Sequence, residues 1–418
     1  MRRRSQIDWL TVWLWAAFVL FGWMNIYAAS SPEGGPSMFS LSHNYGKQFL
    51  FILLAGAIGL VILLLDTRLL EFFSYGVFGV TCVLLVVVLV VGRTVNGAQG
   101  WIDVGMFKLQ PAEFAKVGVA MAIARYGSRY NFSLKRITDR LVVLALLALP
   151  ALLILLQPDL GSVLVFSAFL LVLFREGLSG LVLVVGGLLL VIGVAALLVP
   201  TPYLLATLAA LGLISWWFVY KRTNTLTHLV LVGLFCGFSL SVDFIVSEVL
   251  KPHQQKRIVS LFDPARDPQG TGYNVIQSKI AIGSGGFFGK GFLQGTQTKF
   301  DFVPMQDTDF IFCTIGEEYG WLGSTVLLGL YFIFLSRLLY LAEETRTRYG
   351  RILGYSVACI LFVHLAINVG MALGLTPVVG IPLPFFSYGG SALISFTVLL
   401  ALLLNHHANR VNVLVGSH

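Results

Sequence analysis

The chain is 418 residues long, 57% hydrophobic and 11% charged, with a mean hydropathy of +0.85 and a formal net charge of +8 at pH 7. Soluble globular domains carry about 25% charged residues, so this composition excludes a soluble fold and points to an all-α polytopic membrane protein. The positive charge does not imply a nucleic-acid partner, because the basic residues are spread over the segments between apolar runs rather than gathered in one stretch.

Runs long enough to cross a hydrocarbon core of about 30 Å are predicted at 8–29, 47–65, 69–92, 140–157, 160–174, 178–199, 202–220, 228–249, 321–342, 353–373 and 390–405. A weaker run at 111–125 contains Glu113 and Lys116 and opens on Pro111, which suits a first helical turn. The basic N-terminus leads into the first run without a small-residue cleavage site, so that run reads as a retained span. Counting 111–125 gives about twelve crossings, and the positive-inside rule tests that parity independently. Short loops and tails on the side of the N-terminus then hold seventeen basic residues, against Lys47, Arg93 and Lys108 opposite. Leaving 111–125 out destroys the bias. Both termini are therefore expected in the cytoplasm and the long polar loop 250–308 outside, where its basic residues do not count because long loops translocate regardless.

The expected organisation is one membrane domain over 1–418. Gly180–Val199 and Thr201–Tyr220 have almost no polar side chains and read as lipid-facing or packing helices. Cys82, Cys236, Cys313 and Cys359 stand singly in apolar surroundings and suggest neither zinc nor a disulfide framework. His406, His407 and His418 are too few for a metal tract, and Gly416–His418 reads equally as native or as an appended remnant.

Chemistry is expected in the stretch Asp263–Gly323, which is dense in acidic residues, glycine, glutamine, serine and threonine. Its Asp-Pro and Gly-Gly pairs are turn signals, so much of it cannot span. An ionisable group at membrane depth is costly unless it faces a protein interior or a wet cavity. Glu113 and Lys116 lie three apart, close enough to pair on one helix face, with Gln110 one turn earlier; a neutralised structural pair is the competing reading. Asp159 follows Gln157-Pro158 at an outer end and would serve equally as the N-cap of 160–174. Trp101 reads as an interfacial anchor or a lid contact, and Asp243 and Glu248 as interface residues. The segment Asn368–Ser391 is too rich in proline and glycine to be one helix, so it should be buried or line a cavity. Ser387, Tyr388, Gly389 and Gly390 would there offer hydroxyls and free N–H groups to an anion, or else form a packed re-entrant turn with no ligand.

Five motifs carry a family resemblance: Gln110–Lys116 (QPAEFAK), Gln157–Gly161 (QPDLG), QSKIAIGSGG in the large loop, TDFIF with GEEYG beyond it, and Gly374–Ser391 (GLTPVVGIPLPFFSYGGS). In this order they resemble the SEDS family of bacterial peptidoglycan polymerases. GKGFLQGTQ at Gly289–Gln297 followed by FVPMQDTDFIF is more similar to the elongation branch, RodA, than to the division branch, FtsW. The chain departs from the pattern twice. The family has about ten spans, so the surplus is assigned to an inserted apolar hairpin at 200–249. Gly100 stands where the RodA pattern Ala-Gln-Arg-Trp has its arginine, which puts phosphate contacts at the headgroup in question.

The resemblance implies transfer of glycan from lipid II to the growing strand, with undecaprenyl pyrophosphate leaving. It also implies that Asp309 of TDFIF is the essential carboxylate. A sugar 4-hydroxyl must lose its proton as it attacks an anomeric carbon, and a carboxylate can take that proton or hold a cation on the phosphates. No cofactor is required by the pattern, and a divalent cation is left open. Asp307 would support or compete with Asp309, and capping of a helix from Phe310 is the bland alternative for Asp309 itself. Lys279 and Lys290 are candidate pyrophosphate partners, and Gln277, Ser278, Thr308 and Ser387 candidate contacts to the substrate. Glu113, Lys116, Asp159, Gln110 and Trp101 match positions near the central cavity, with Glu317 and Glu318 as structural acids. Partners implied are the membrane, a class B penicillin-binding protein and other elongation proteins, in the bacterial cytoplasmic membrane. A lipid II flippase and a scaffold for a transpeptidase remain as other readings.

Overall fold

The computed structural model describes residues 7–30, 37–95, 97–105, 107–219, 225–249, 271–300 and 302–410. The 250–270 part of the large loop, the 220–224 turn, Asp301 and the C-terminal Gly-Ser-His lie outside the described residues. The chain divides into two compact units, Met1–Gly177 with Asn274–His418, and Leu178–Tyr273.

The first unit runs α1 (Trp9–Ser30), α2 (Asn44–Leu64), α3 (Thr67–Phe72), α4 (Ser74–Val91), strands β1 (Arg93–Val95), β2 (Ala98–Val104) and β3 (Phe107–Leu109), α5 (Pro111–Gly127), α6 (Ile137–Leu155), α7 (Leu160–Val165) and α8 (Ala168–Arg175). The second unit holds α9 (Gly180–Leu198), α10 (Thr201–Val219) and α11 (Thr225–Phe244), the last continued by a π-helical turn at Ile245–Val249. The first unit resumes at Asn274, within α12 (Thr271–Ser284), and continues through α13 (Thr296–Lys299), α14 (Ile311–Glu344), α15 (Arg348–Leu373) and α16 (Gly390–Ala408). Among the described residues ten helices are long and apolar enough to cross a membrane. The short α5 and the α7–α8 pair occupy the other two predicted runs.

Helix α5 sits at the centre because its sequence lets it. Seven of the seventeen residues of PAEFAKVGVAMAIARYG are alanine or glycine, so neighbouring backbones approach closely, and nearly every residue of it is buried. It packs against α4, α15 and α16, while α16 is buried along almost its whole length and packs on α2. Asn405 of α16 closes that contact by donating from Nδ2 to the carbonyls of Ile62 and Leu65, 2.8 Å each. These carbonyls belong to the last turn of α2 and its C-cap, where i+4 donors run out.

Three features depart from the sequence reading. The segment between the predicted spans 69–92 and 111–125 is a three-stranded antiparallel sheet in the order β1-β2-β3, pairing Arg93 with Trp101 and Asp103 with Lys108. The described part of the polar loop contains the fourteen-residue helix α12. The span predicted from 321 begins ten residues earlier as α14 and breaks at Gly320, whose φ of 66° is left-handed and favours glycine. The break leaves backbone groups without helical partners, and the loop 285–291 supplies them. Trp321 N donates to Gly286 O at 2.9 Å and Leu322 N to Phe287 O at 3.0 Å, while Lys290 N and Gly291 N donate to Glu317 O and Glu318 O.

In the second unit α10 and α11 pack as a hairpin against α9. Thr201 Oγ1 donates to Asp243 Oδ2 at 3.0 Å, tying the start of α10 to the end of α11. Trp217 and Phe218 near the end of α10 are largely exposed, as aromatic side chains at a membrane interface are.

Candidate active site

Asp309 lies on the short stretch that leads into α14, half-buried, and the backbone just before it, at Asp307 and Thr308, is tied to the segment 374–389. That segment is the non-helical part of the expected stretch Asn368–Ser391, whose first six residues belong to the end of α15 and whose last two open α16. Its N–H groups are engaged: Tyr388 N donates to Asp307 O at 2.8 Å, Gly389 N to Gln48 Oε1 at 3.2 Å and Ser387 N to Leu383 O at 3.1 Å. For Ser387, Tyr388 and Gly389 the expectation of free N–H groups for an anion therefore gives way to the packed re-entrant turn. Ser387, expected to touch substrate, is buried and committed as well. Its Oγ donates to Thr308 O at 2.6 Å and accepts from Leu383 N at 2.8 Å.

Two buried side chains of α15 complete the clamp. Asn368 Nδ2 donates to Asp309 O at 2.9 Å and to Ile381 O at 2.7 Å. His364, one turn earlier, has Nδ1 3.1 Å from Pro382 O. A side chain at Gly380, which has φ +71°, would begin 3.3 Å from Asp309 Oδ2, so the carboxylate rests against bare glycine backbone. Asp309 does not cap α14. The helix starts at Ile311, Phe310 occupies the N-cap position, and there is no side-chain cap. The neighbouring Asp307 accepts from Asn44 Nδ2 through Oδ2 at 2.7 Å.

Beneath this turn Lys116 Nζ lies 2.8 Å from Glu113 Oε2 and 2.7 Å from His364 Nε2. Lys116 is fully buried and Glu113 is 3% exposed. The i,i+3 spacing on α5 makes the pair, and Ser395 Oγ adds a contact to Glu113 Oε2 at 3.2 Å. Such an ion pair is tolerated at membrane depth because the two charges neutralise each other and share hydrogen bonds.

Asp159 caps α7 by accepting from Ser162 N at 3.0 Å and from Ser162 Oγ at 2.7 Å. Gln110 Nε2 also reaches its Oδ2 at 3.3 Å, so Gln110 and Asp159 are brought together. A side chain at Gly100 on β2 would begin 3.7 Å from Gln157 Oε1 and 4.0 Å from Asp159 Oδ2, which places the departure from the RodA pattern beside these two residues. Trp101 is half-buried on β2, across from Arg93.

Other candidates are committed elsewhere. Lys290 Nζ lies 2.7 Å from Glu317 Oε1 and 2.8 Å from Thr296 Oγ1. Glu317 also accepts from Gln297 N and Thr298 N, so this pair holds the first turn of α13. Glu318 accepts from Leu293 N at 3.0 Å. Glu317 thus stands in an ion pair and Glu318 on a backbone N–H, and Lys290 is neutralised where it stands. Lys279 packs its ammonium end over Gly374, Gln277 is half-exposed on α12, Thr308 is half-buried, and Ser278 is buried with its Oγ donating to Ala372 O at 2.9 Å. Among the described residues no group of three or more His, Cys, Asp or Glu side chains is placed to hold a metal ion.

The sequence reading did not select His364, Asn368, Asn44 or Gln48. A signal for the first two was present: a histidine and an asparagine spaced i,i+4 in an apolar helix meet the criterion applied to Glu113 and Lys116.

The geometry sits in a chain with clear relatives. The family of cell cycle proteins comprising FtsW, RodA and SpoVE matches residues 8–211 and 189–412. The peptidoglycan glycosyltransferase MrdB of Escherichia coli K12 is 37% identical over 359 residues, 85% of this chain and 84% of that protein. The peptidoglycan glycosyltransferase RodA of Treponema pallidum is 32% identical over 439 residues, 98% of this chain and all of that protein. Among solved structures, a chain of a peptidoglycan synthase complex that coordinates polymerization and crosslinking superposes with a TM-score of 0.68 at 30% identity, covering 97% of this chain and 98% of that one. The rod shape determining protein RodA of Thermus thermophilus superposes with a TM-score of 0.62 at 28% identity over 97% of both chains. With most of its length matched by sequence and by fold, this multi-pass membrane protein belongs to the FtsW/RodA/SpoVE family.

Proposed function

We propose that this protein is a peptidoglycan glycosyltransferase of the elongation machinery, polymerising lipid II with Asp309 as the essential carboxylate. The observation that carries the reading is the setting of Asp309. It is half-buried where the large loop enters the bundle, its main chain is held by Asn368, and its carboxylate lies against Gly380. In the reaction the 4-hydroxyl oxygen of one glycan bonds to the anomeric carbon of the other. The bond from that carbon to undecaprenyl pyrophosphate breaks, the electron pair leaves with the pyrophosphate, and the hydroxyl proton passes to the Asp309 carboxylate. A carboxylate held by its backbone arrives pre-positioned, and positioning of this kind accounts for a large part of enzymatic rate.

Gln110, Asp159 and Trp101 are proposed to line the substrate cavity on the outer side, with Lys279 and Thr308 nearest the headgroup, and the Glu113–Lys116 pair to support the floor. The proposed setting is the bacterial cytoplasmic membrane, with both termini in the cytoplasm and 250–308 outside. A class B penicillin-binding protein is the proposed partner, supported by the solved synthase complex to which the chain is similar.

The experiment is polymerisation of lipid II by purified protein, alone and with the transpeptidase, for wild type and Asp309→Asn. Asparagine keeps the shape and removes the charge, so the variant is expected to fold and bind its partner yet lose about 10²-fold or more in rate. Long glycan strands made by Asp309→Asn at near wild-type rate overturn the assignment. In a flippase the loss would follow Glu113 and Lys116 instead.

A further inference from the structure

We propose that His364 is a positioning residue for Asp309. As a neutral imidazole with its proton on Nδ1, it holds the re-entrant segment at Pro382 while its other nitrogen takes a hydrogen bond from Lys116. The inference rests on the reading of Asp309 as the essential carboxylate.

The segment 377–384 has too few donors for its own acceptors. Pro377, Pro382 and Pro384 carry no N–H, and a segment folded back into the bundle needs partners for its carbonyls. Side chains of two long helices provide them. Tyr331 Oη of α14 donates to Pro384 O at 2.6 Å, His364 of α15 meets Pro382 O at 3.1 Å, and Asn368 of α15 donates to Ile381 O at 2.7 Å. The same Asn368 amide donates to Asp309 O. One face of α15 therefore holds two consecutive carbonyls of the re-entrant turn together with the carbonyl of Asp309. Gly380, immediately before those carbonyls, is the residue against which the Asp309 carboxylate rests.

The tautomer follows from the partners. A carbonyl only accepts, so Nδ1 carries the hydrogen; an ammonium only donates, so Nε2 presents its lone pair to Lys116 Nζ, 2.7 Å away. The ring is 1% exposed and edge-on to Phe396 at 4.7 Å between centroids. Charged groups facing it are Lys116 and, through it, Glu113. A histidine held at both nitrogens has one orientation. It couples the intramembrane pair on α5 to the turn that supports Asp309, which explains why this helix carries an imidazole where an apolar side chain would fill the same volume.

The test measures kcat, KM for lipid II and the thermal unfolding midpoint for wild type, His364→Asn, His364→Gln and Asp309→Asn. Asparagine returns an amide N–H near the position of Nδ1, whereas glutamine places its amide near Nε2 and leaves Pro382 without a donor. His364→Asn is expected to keep kcat within about threefold, and His364→Gln to lose about tenfold or more in kcat with KM within about twofold, as displacement of a reacting group predicts. The two variants should melt together. A folded His364→Gln with wild-type turnover overturns the proposal, as do equal losses in both variants that track their unfolding midpoints. Nitrogen-15 NMR of histidine-labelled wild-type protein adds a reading independent of how the variants fold. A neutral Nδ1–H ring is expected, and an imidazolium or Nε2–H ring at His364 overturns the proposal. If Asp309→Asn polymerises normally, the functional reading fails whatever His364 does. If Asp309→Asn is inactive and His364→Gln is not affected, only the positioning role fails.

Discussion

Replacing Lys116 by methionine removes one side of an ion pair at the centre of the bundle and leaves the Glu113 carboxylate, 3% exposed, with Ser395 as its remaining hydrogen-bond partner among those described. At the observed 2.8 Å, unit charges attract by about 6 kcal/mol at an effective dielectric constant of about 20, before desolvation is charged against them. The net cost of breaking such a pair is about 3–5 kcal/mol, because a buried charge is stranded. Glu113→Gln strands Lys116 in the same way, with His364 Nε2 still accepting from it. The double variant Glu113→Gln, Lys116→Met strands no charge. It leaves the buried His364 Nε2 without its donor, a cost of about 1–3 kcal/mol, so it is expected to be more stable than either single variant, with a coupling of about 3 kcal/mol or more. The assay is a double-mutant cycle on unfolding of the purified protein in mixed micelles by increasing denaturing detergent, with folded yield from membranes as a second readout. Additive losses, or single variants as stable as the wild type, would refute the claim that the two charges act as one neutral unit.

Gly380→Ala puts a methyl group 3.3 Å from Asp309 Oδ2 at a left-handed φ; it should lower polymerisation by about tenfold or more through displacement of the carboxylate, and a fully active, folded variant would contradict the placement. Asp8 precedes α1 and accepts from Arg337 Nε at 3.2 Å. Burial alone would raise its pKa, but the Arg337 and Thr11 hydrogen bonds outweigh that and bring it down to about 2. A carboxyl lowered on folding contributes stability that is complete above its unfolded pKa of about 3.9 and is lost as pH falls towards the folded value. The gap in unfolding midpoint between wild type and Asp8→Asn should therefore be constant above about pH 5 and shrink steadily below pH 4; a gap that widens with acid would reverse the sign. Deleting 200–249 removes two crossings, so a cysteine at position 270, outside the described residues, should label from the outer face with or without the deletion. A cysteine at position 224 that reacts from outside would show the parity to be wrong.

Class and most of the helices follow from the sequence alone, because a bilayer permits so few solutions. A run of about 20 apolar residues in hydrocarbon has to be a helix, which is why α1, α2, α9, α10, α15 and α16 lie close to their predicted ranges. The Glu113–Lys116 pair was equally legible, being a local i,i+3 relation on one helix. The motifs around Asp309 and the re-entrant segment marked the region of interest as well. What the sequence does not carry is the partner of each polar group once distant segments meet. Ser387, Thr308 and the N–H groups of 387–389 looked available for substrate, and the fold commits Ser387 and those N–H groups to one another, to Gln48 and to the 307–308 backbone. Lys290 looked like a phosphate ligand, and the loop that pairs with the Gly320 break delivers it to Glu317. His364 and Asn368 were not selected from the sequence, and only the return of the chain at 381–382 gives them these acceptors. Hydrophobic length is a property of a segment and is written in its residues; a buried hydrogen bond between residues far apart in the chain is a property of the packed bundle, decided when those segments are brought within 3 Å of each other.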